Sequence, residues 1–209
     1  MTAPMARTLD RSALVLDRDA YLREVRPGLR ARLIPLRAAR RVRLGDAIAC
    51  EFEDADTLLY QVQEMLMIEG ATDDAAVSHE LEAYARLLPT AFSLCCTLFI
   101  ESEDITTVKA ELERLTGVQH AVSLRLHPAE GPEVVVTGVE VPGIDEPGPS
   151  TVTQAVHFGR FGFDDASRDL FRDPAVPAEL VVEHPEYAAS AALAGELRHL
   201  LLADLALPS

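Results

Sequence analysis

Phe92-Ser93-Leu94-Cys95-Cys96-Thr97-Leu98-Phe99-Ile100-Glu101, continued by SEDITTVKAELERLTG (102–117) and VQHAVSLRLHPAEGPEVVVTGVEV (118–141), carries the pattern that decides the fold. In its first ten residues Phe92, Leu94, Cys96, Leu98 and Ile100 share one phase of a period of two. That predicts a strand with this face inward. Asp104 then supplies an N-cap, and Gly117 a stop, for a helix ending near Leu115. Residues 118–127 and 133–141 return to strand patterning around the turn Glu130-Gly131-Pro132. Strand, helix, strand, hairpin is a ferredoxin-like half, with a right-handed crossover and parallel outer strands.

Upstream, Asp17 caps a short helix over 18–25, and Pro27 suits the first turn of a second helix carrying Leu29, Leu33 and Leu36. Pro35 should break or kink it. Val42, Leu44, Ile48, Cys50 and Phe52 share one strand phase, with Arg41, Arg43, Glu51 and Glu53 on the other, and a turn or bulge at Gly45-Asp46. A helix follows over 56–69, ended by Gly70, and another from Asp73 or Asp74 to Leu88, stopped by Pro89. Downstream, residues 142–150 hold three Pro and two Gly and read as a loop. After it come a strand (153–163), a short helix (165–171), a strand (179–183) and a last helix (187–205). The expected class is α+β: a mixed, largely antiparallel sheet with a helical hairpin and the ferredoxin-like βαβ element packed on it. Residues 1–9 are expected to be disordered and 10–209 to form one domain. A separate unit after the Pro-rich loop would be small for its own core.

Of 209 residues, 48% are hydrophobic and 25% charged, which excludes collagen-like, low-complexity and wholly disordered chains. No apolar run approaches the roughly 20 residues that span a bilayer. The first 19 residues are charged and lack a signal-peptide core, so no membrane partner is expected. Three cysteines, two of them adjacent, make no disulfide framework, and a reducing cytosol is the expected address.

Charge is distributed unevenly. Residues 1–45 hold eleven Arg (7, 11, 18, 23, 26, 30, 32, 37, 40, 41, 43) against four acids, on a chain of net charge −15. An Arg-rich helical arm (10–45) on an acidic body can pair with that body, dock on an acidic protein, or bind nucleic acid. The first comes first because opposite charges in one chain meet soonest. Nucleic acid comes last: the body repels phosphate and no zinc-finger or RNP-type motif is present.

On the two middle helices Glu69 falls inside the apolar arc, Gln61 and Glu64 sit at its edge, and Glu80 borders Tyr84. Buried carboxylates need partners. Two sets follow. One is a structural ion-pair network of Arg37, Arg40 and Arg41 with Glu64, Glu69 and Glu80. The other is a ligand pocket lined by Gln61, Glu64, Glu80, Tyr84, Arg41 and His157. Glu64, Glu69 and Glu80 are also the metal-ligand candidates. His79-Glu80 fits neither a zincin helix, since the residue four after His79 is Ala83, nor a di-iron Glu-x-x-His, since three before it stands Ala76. No nucleophile elbow, phosphate loop or dinucleotide fingerprint occurs. Cys50 and Cys96 read as small core residues, with Cys95 on the opposite side of its strand.

Phe52-Glu53, Thr57, Gln61, Glu64-Met65, Glu69, Glu80-Leu81, Tyr84, Leu88-Pro89 and Thr97-Leu98-Phe99-Ile100-Glu101 together resemble a bacterial family known as domain-of-unknown-function family 3501. Arg40-Arg41-Val42-Arg43-Leu44-Gly45 and Val156-His157-Phe158-Gly159-Arg160-Phe161 resemble it too, and the likeness covers nearly the whole chain after about residue 9. The resemblance carries over no catalytic residue and no cofactor. It implies a context beside rubrerythrin-like di-iron proteins and iron–sulfur oxidoreductases. The Pro-rich loop departs from the family pattern and leaves the pairing of its flanking strands open. Two expectations stand. One is a non-enzymatic accessory protein whose partner is an iron–sulfur or di-iron redox protein, with a second copy of the chain also admitted. The alternative is a small-molecule- or metal-binding enzyme or sensor, with a carboxylate-lined pocket between helical hairpin and sheet.

Overall fold

The computed structural model describes residues 8–102, 106–142, 144 and 153–206. The Asp10 and Asp17 carboxylates cap a 3-10 turn at Arg11–Ala13 and α1 (Arg18–Ala20). A π turn at Tyr21–Val25 then runs straight into α2 (Arg26–Arg40). Pro35 lies inside α2, so of the expected break or kink the break does not occur. An internal proline costs roughly 3 kcal/mol. Here the helix is anchored on both sides of it, by buried Leu33 before and by the ion pairs of Arg37 and Arg40 after. Leu9 is buried as well; residues 1–7 of the expected disordered N-terminus lie outside the described part.

β1 (Arg41–Leu44) and β2 (Ile48–Phe52) form a hairpin whose turn holds Gly45 at φ +69°. α3 (Ala55–Glu69) opens on a reciprocal cap between Asp54 and Thr57 and closes at Gly70, φ +68°. Asp73 caps α4 (Asp74–Ala85). β3 (Ser93–Ile100) follows, then α5 (Val108–Arg114), a 3-10 turn at Val118–His120, and the antiparallel pair β4 (Val122–Leu126) and β5 (Val134–Glu140). The expected Asp104 cap and most of the Pro-rich loop lie outside the described residues. The chain ends with β6 (Val156–Gly162), α6 (Asp165–Arg172), β7 (Ala178–His184), β8 (Tyr187–Ala192) and α7 (Gly195–Ala206).

The class is α+β, but the ferredoxin-like unit is not formed. Strand order is β1-β2-β3-β6-β5-β4-β7-β8 and every ladder is antiparallel. β3 pairs with β6, so β6 and β5 separate β4 from β3, and β4 is not its parallel neighbour. The sheet curls into a nearly closed barrel. The expected single helix over 187–205 is a strand followed by a helix. Tyr-Ala-Ala-Ser-Ala-Ala favours a helix by propensity, but Tyr187, Ala189 and Ala191 pack on the barrel core, and pairing with β7 prevails.

The barrel interior is filled by Leu44, Ile48, Phe52, Leu98, Leu124, Leu180 and Phe161, joined by Phe171 and Leu201 from α6 and α7. A second core lies outside β3 and β6. There Leu58, Val62 and Leu66 of α3 and Val77 and Tyr84 of α4 cover Cys95 and Phe158. β3 is therefore buried on both faces. Phe92, expected inward, precedes the strand and is exposed.

The first and last hairpins meet at Tyr187, whose hydroxyl donates to the Leu44 carbonyl and accepts from the Ala47 amide at 3.1 Å. A Cβ on Gly45 would overlap that hydroxyl, and its φ is left-handed. Gly45→Ala should therefore destabilise by about 2–4 kcal/mol, through strain plus displacement of the tyrosine. Tyr187→Phe, which loses only hydrogen bonds, should cost about 1–2 kcal/mol. Urea denaturation checks the order, and equal losses would contradict it.

Candidate functional site

β2 alternates, so Cys50 and Phe52 enter the barrel while Glu51 and Glu53 point outward. Outward here is not solvent. The arm and α3 lie over this face, and both glutamates are only 1% exposed. Glu51 is held by Arg37 (Nε 2.5 Å, Nη2 3.2 Å) and by Arg41 (3.3 Å). Arg41 continues to Glu101 at 2.5 Å and lies 5.0 Å over the Phe99 ring. Arg40, 4% exposed, contacts Asp54 through Nε at 2.8 Å and forks onto Asp204 at 2.7 and 3.2 Å. Glu64 accepts from Arg26 (2.6–3.1 Å) and from the Tyr21 hydroxyl at 2.6 Å. The Arg26 guanidinium holds Glu64 below the usual carboxylate range.

Glu53 differs. Its donors are neutral: Thr57 Oγ1 at 2.5 Å, Gln61 Nε2 at 2.8 Å and the Thr97 hydroxyl. Burial outweighs these three donors and pushes its carboxyl up to about 7. A carboxyl raised toward neutral pH is found at functional positions and in structural networks alike. The nearby thiols are not activated: burial pushes Cys95 up to about 11, and the contact with Cys50 together with burial raises Cys96.

The residues expected to line one pocket are divided between two faces of the sheet. Gln61 reaches Glu53, and Tyr84 is buried in edge-to-face contact with Phe158, 6.1 Å between centroids. His157 is one residue away from Phe158 and therefore points to the opposite face. Its Nδ1 meets Glu140 at 3.2 Å, and its Nε2 meets Thr153 at 2.8 Å and the Gln154 carbonyl at 3.1 Å. There it borders a narrow crevice with Cys96, Gln119 and Gly159. Glu80 is half-buried on α4 and Glu69 is exposed. Nor do Arg37, Arg40 and Arg41 take the partners expected of them. They bind Glu51, Asp54, Asp204 and Glu101, because α2 lies along the first hairpin, while Glu64 is taken by Arg26. Glu64, Glu69 and Glu80 form no group with metal-ligand spacing; among the described residues that spacing occurs at His127, Glu133 and Glu179. Sequence reading missed Glu51, Glu53, Asp54, Thr97 and Asp204. The signal for the two glutamates was their place opposite Cys50 and Phe52, but period alone does not tell a covered face from a wet one.

Residues 8–205 match the family described as protein of unknown function (DUF3501). The chain belongs to this family. The crystal structure of a novel protein of unknown function from Burkholderia pseudomallei K96243 is similar at 32% identity and a TM-score of 0.79. The match covers 95% of this chain and 99% of that one. No curated protein matches. Membership thus brings the fold with it and no assigned chemistry.

Two outcomes follow from the layer. A carboxyl whose folded value lies above its ordinary 4.5 binds the proton more tightly when folded. Its contribution is whole below about pH 4.5 and is lost as pH rises to about 7. Glu53→Gln removes that loss, because Thr57 can turn its hydroxyl to the Asp54 carbonyl, 3.2 Å away, and accept the new amide. Between pH 4.5 and 8 the stability difference should shift by roughly 3 kcal/mol toward the Gln variant, measured by urea melts. Arg40→Ala leaves Asp54 and Asp204 without their cation and should cost about 3–5 kcal/mol at pH 7. A loss below about 1 kcal/mol would mean that water replaces the guanidinium.

Proposed function

We propose that this chain is a non-enzymatic accessory protein that docks on a component of an iron-dependent redox system, a rubrerythrin-like di-iron protein or an iron–sulfur oxidoreductase. The redox context comes from the family resemblance. The observation that carries docking is the outer wall of the barrel at β5, which no helix covers among the described residues. The helices cover β3 and β6, but on β5 the outward Val135 and Val139 are 49% and 64% exposed. The arginine-rich arm, by contrast, is engaged within the chain: Arg11 with Asp74, Arg26 with Glu64, Arg32 with Asp56, and Arg37, Arg40, Arg41 and Arg43 with the first hairpin and its neighbours. What faces a partner is an acidic body with an apolar strip, which fits a basic-rimmed surface and salt-dependent association.

The test titrates the purified chain against a purified di-iron protein and an iron–sulfur oxidoreductase from the same organism. A complex with a Kd on the order of micromolar is expected, weakened tenfold or more by Val139→Asp and by added salt. Failure of both to bind at about 100 µM would reject the proposal.

Glu53 favours a second reading, a small-molecule- or metal-binding enzyme or sensor working where α3 meets the sheet. A ligand-induced melting shift that disappears in Glu53→Gln would support it, and one unchanged by that substitution would exclude it.

A further inference from the structure

His127 follows β4, Glu133 precedes β5 and Glu179 lies on β7, so three adjacent strands bring one imidazole and two carboxylates to the outer rim of the barrel. One ligand atom from each falls within 4.8 Å of the others. The imidazole is flanked on both sides: Nε2 lies 2.9 Å from Glu179 Oε1, and Nδ1 lies 3.4 Å from Glu133 Oε2. A neutral ring has one N–H to give. With that proton on Nε2, donated to Glu179, the Nδ1 lone pair faces a carboxylate oxygen. Both atoms are electron-rich, and a cation between them, a second ring proton or a metal ion, removes the repulsion. Their 3.4 Å separation is what two ligands adopt about 2.0–2.1 Å from one tetrahedral ion. Charge points the same way. Arg125 pairs with Glu183 and stands 3.7 Å from Glu133, so one arginine is shared between two carboxylates.

We propose that His127 and Glu133 bind a borderline divalent cation of the zinc class, with Glu179 positioning the ring through Nε2–H and solvent completing the shell. Nitrogen with carboxylate oxygen suits zinc, and a carboxylate behind a ligating histidine fixes its tautomer. This site lies on β4, β5 and β7, away from α3 and α4, and does not depend on the docking proposal.

The experiment is calorimetric titration of the chelator-stripped full chain with zinc chloride at pH 7.5. One zinc per chain is expected, with a Kd on the order of ten micromolar. His127→Ala and Glu133→Gln should each weaken it at least tenfold, and Glu179→Gln about tenfold. All three side chains are half-exposed, so the variants should fold, and far-UV circular dichroism checks that they do. No binding tighter than about 1 mM, or an equal Kd in His127→Ala and Glu133→Gln, would overturn the proposal. The nitrogen would then carry only a proton.

Discussion

Arg40 joins three parts of the molecule that are distant in sequence: the end of α2, the cap of α3 through Asp54, and α7 through Asp204. All three charges lie where water is scarce, and none is tolerable there alone. The pairing therefore fixes the path of the arm. Once Arg40 is seated, Arg37 and Arg41 fall on Glu51, and α2 must lie along the first hairpin. The helical layer is held to the barrel by matched charge as well as by apolar contact.

The barrel follows from the management of sheet edges. Eight antiparallel strands would leave β1 and β8 as open edges, templates for pairing with other chains. Curling brings the two hairpins together at Tyr187 and sets those edges close to each other. Inside, alternating residues fill the barrel; outside, only part of the wall is covered. That asymmetry separates a helix-clad face with a buried ionisable layer from a bare face that carries exposed valines and the His127 cluster.

Much of this was legible in the sequence. The stop at Gly70 and the cap at Asp73 located α3 and α4 because both act locally, while α3 starts one residue before the expected Asp56, on a cap from Asp54. The inward set of the first hairpin was correct because its period is set by the backbone. What failed was non-local. Nothing near β3 indicates that β6, from beyond the Pro-rich loop, takes the place beside it. Pro35 and the alanine-rich β8 obeyed tertiary contacts over local preference. The expected pocket failed on parity: Tyr84 packs on Phe158, and the adjacent His157 necessarily faces the other way. Glu53 was missed because a polar side chain opposite a core phase normally meets water, and here it meets α3.

The doubly buried β3 gives the two adjacent cysteines different surroundings. Cys95 belongs to the core beneath the helices, and Cys96 to the interior of the barrel. Lifting α3 and α4 away uncovers the first thiol and leaves the second sealed until the strands themselves part. Two neighbouring sulfurs are thus independent clocks, one timing the opening of the helical layer and the other the opening of the whole fold.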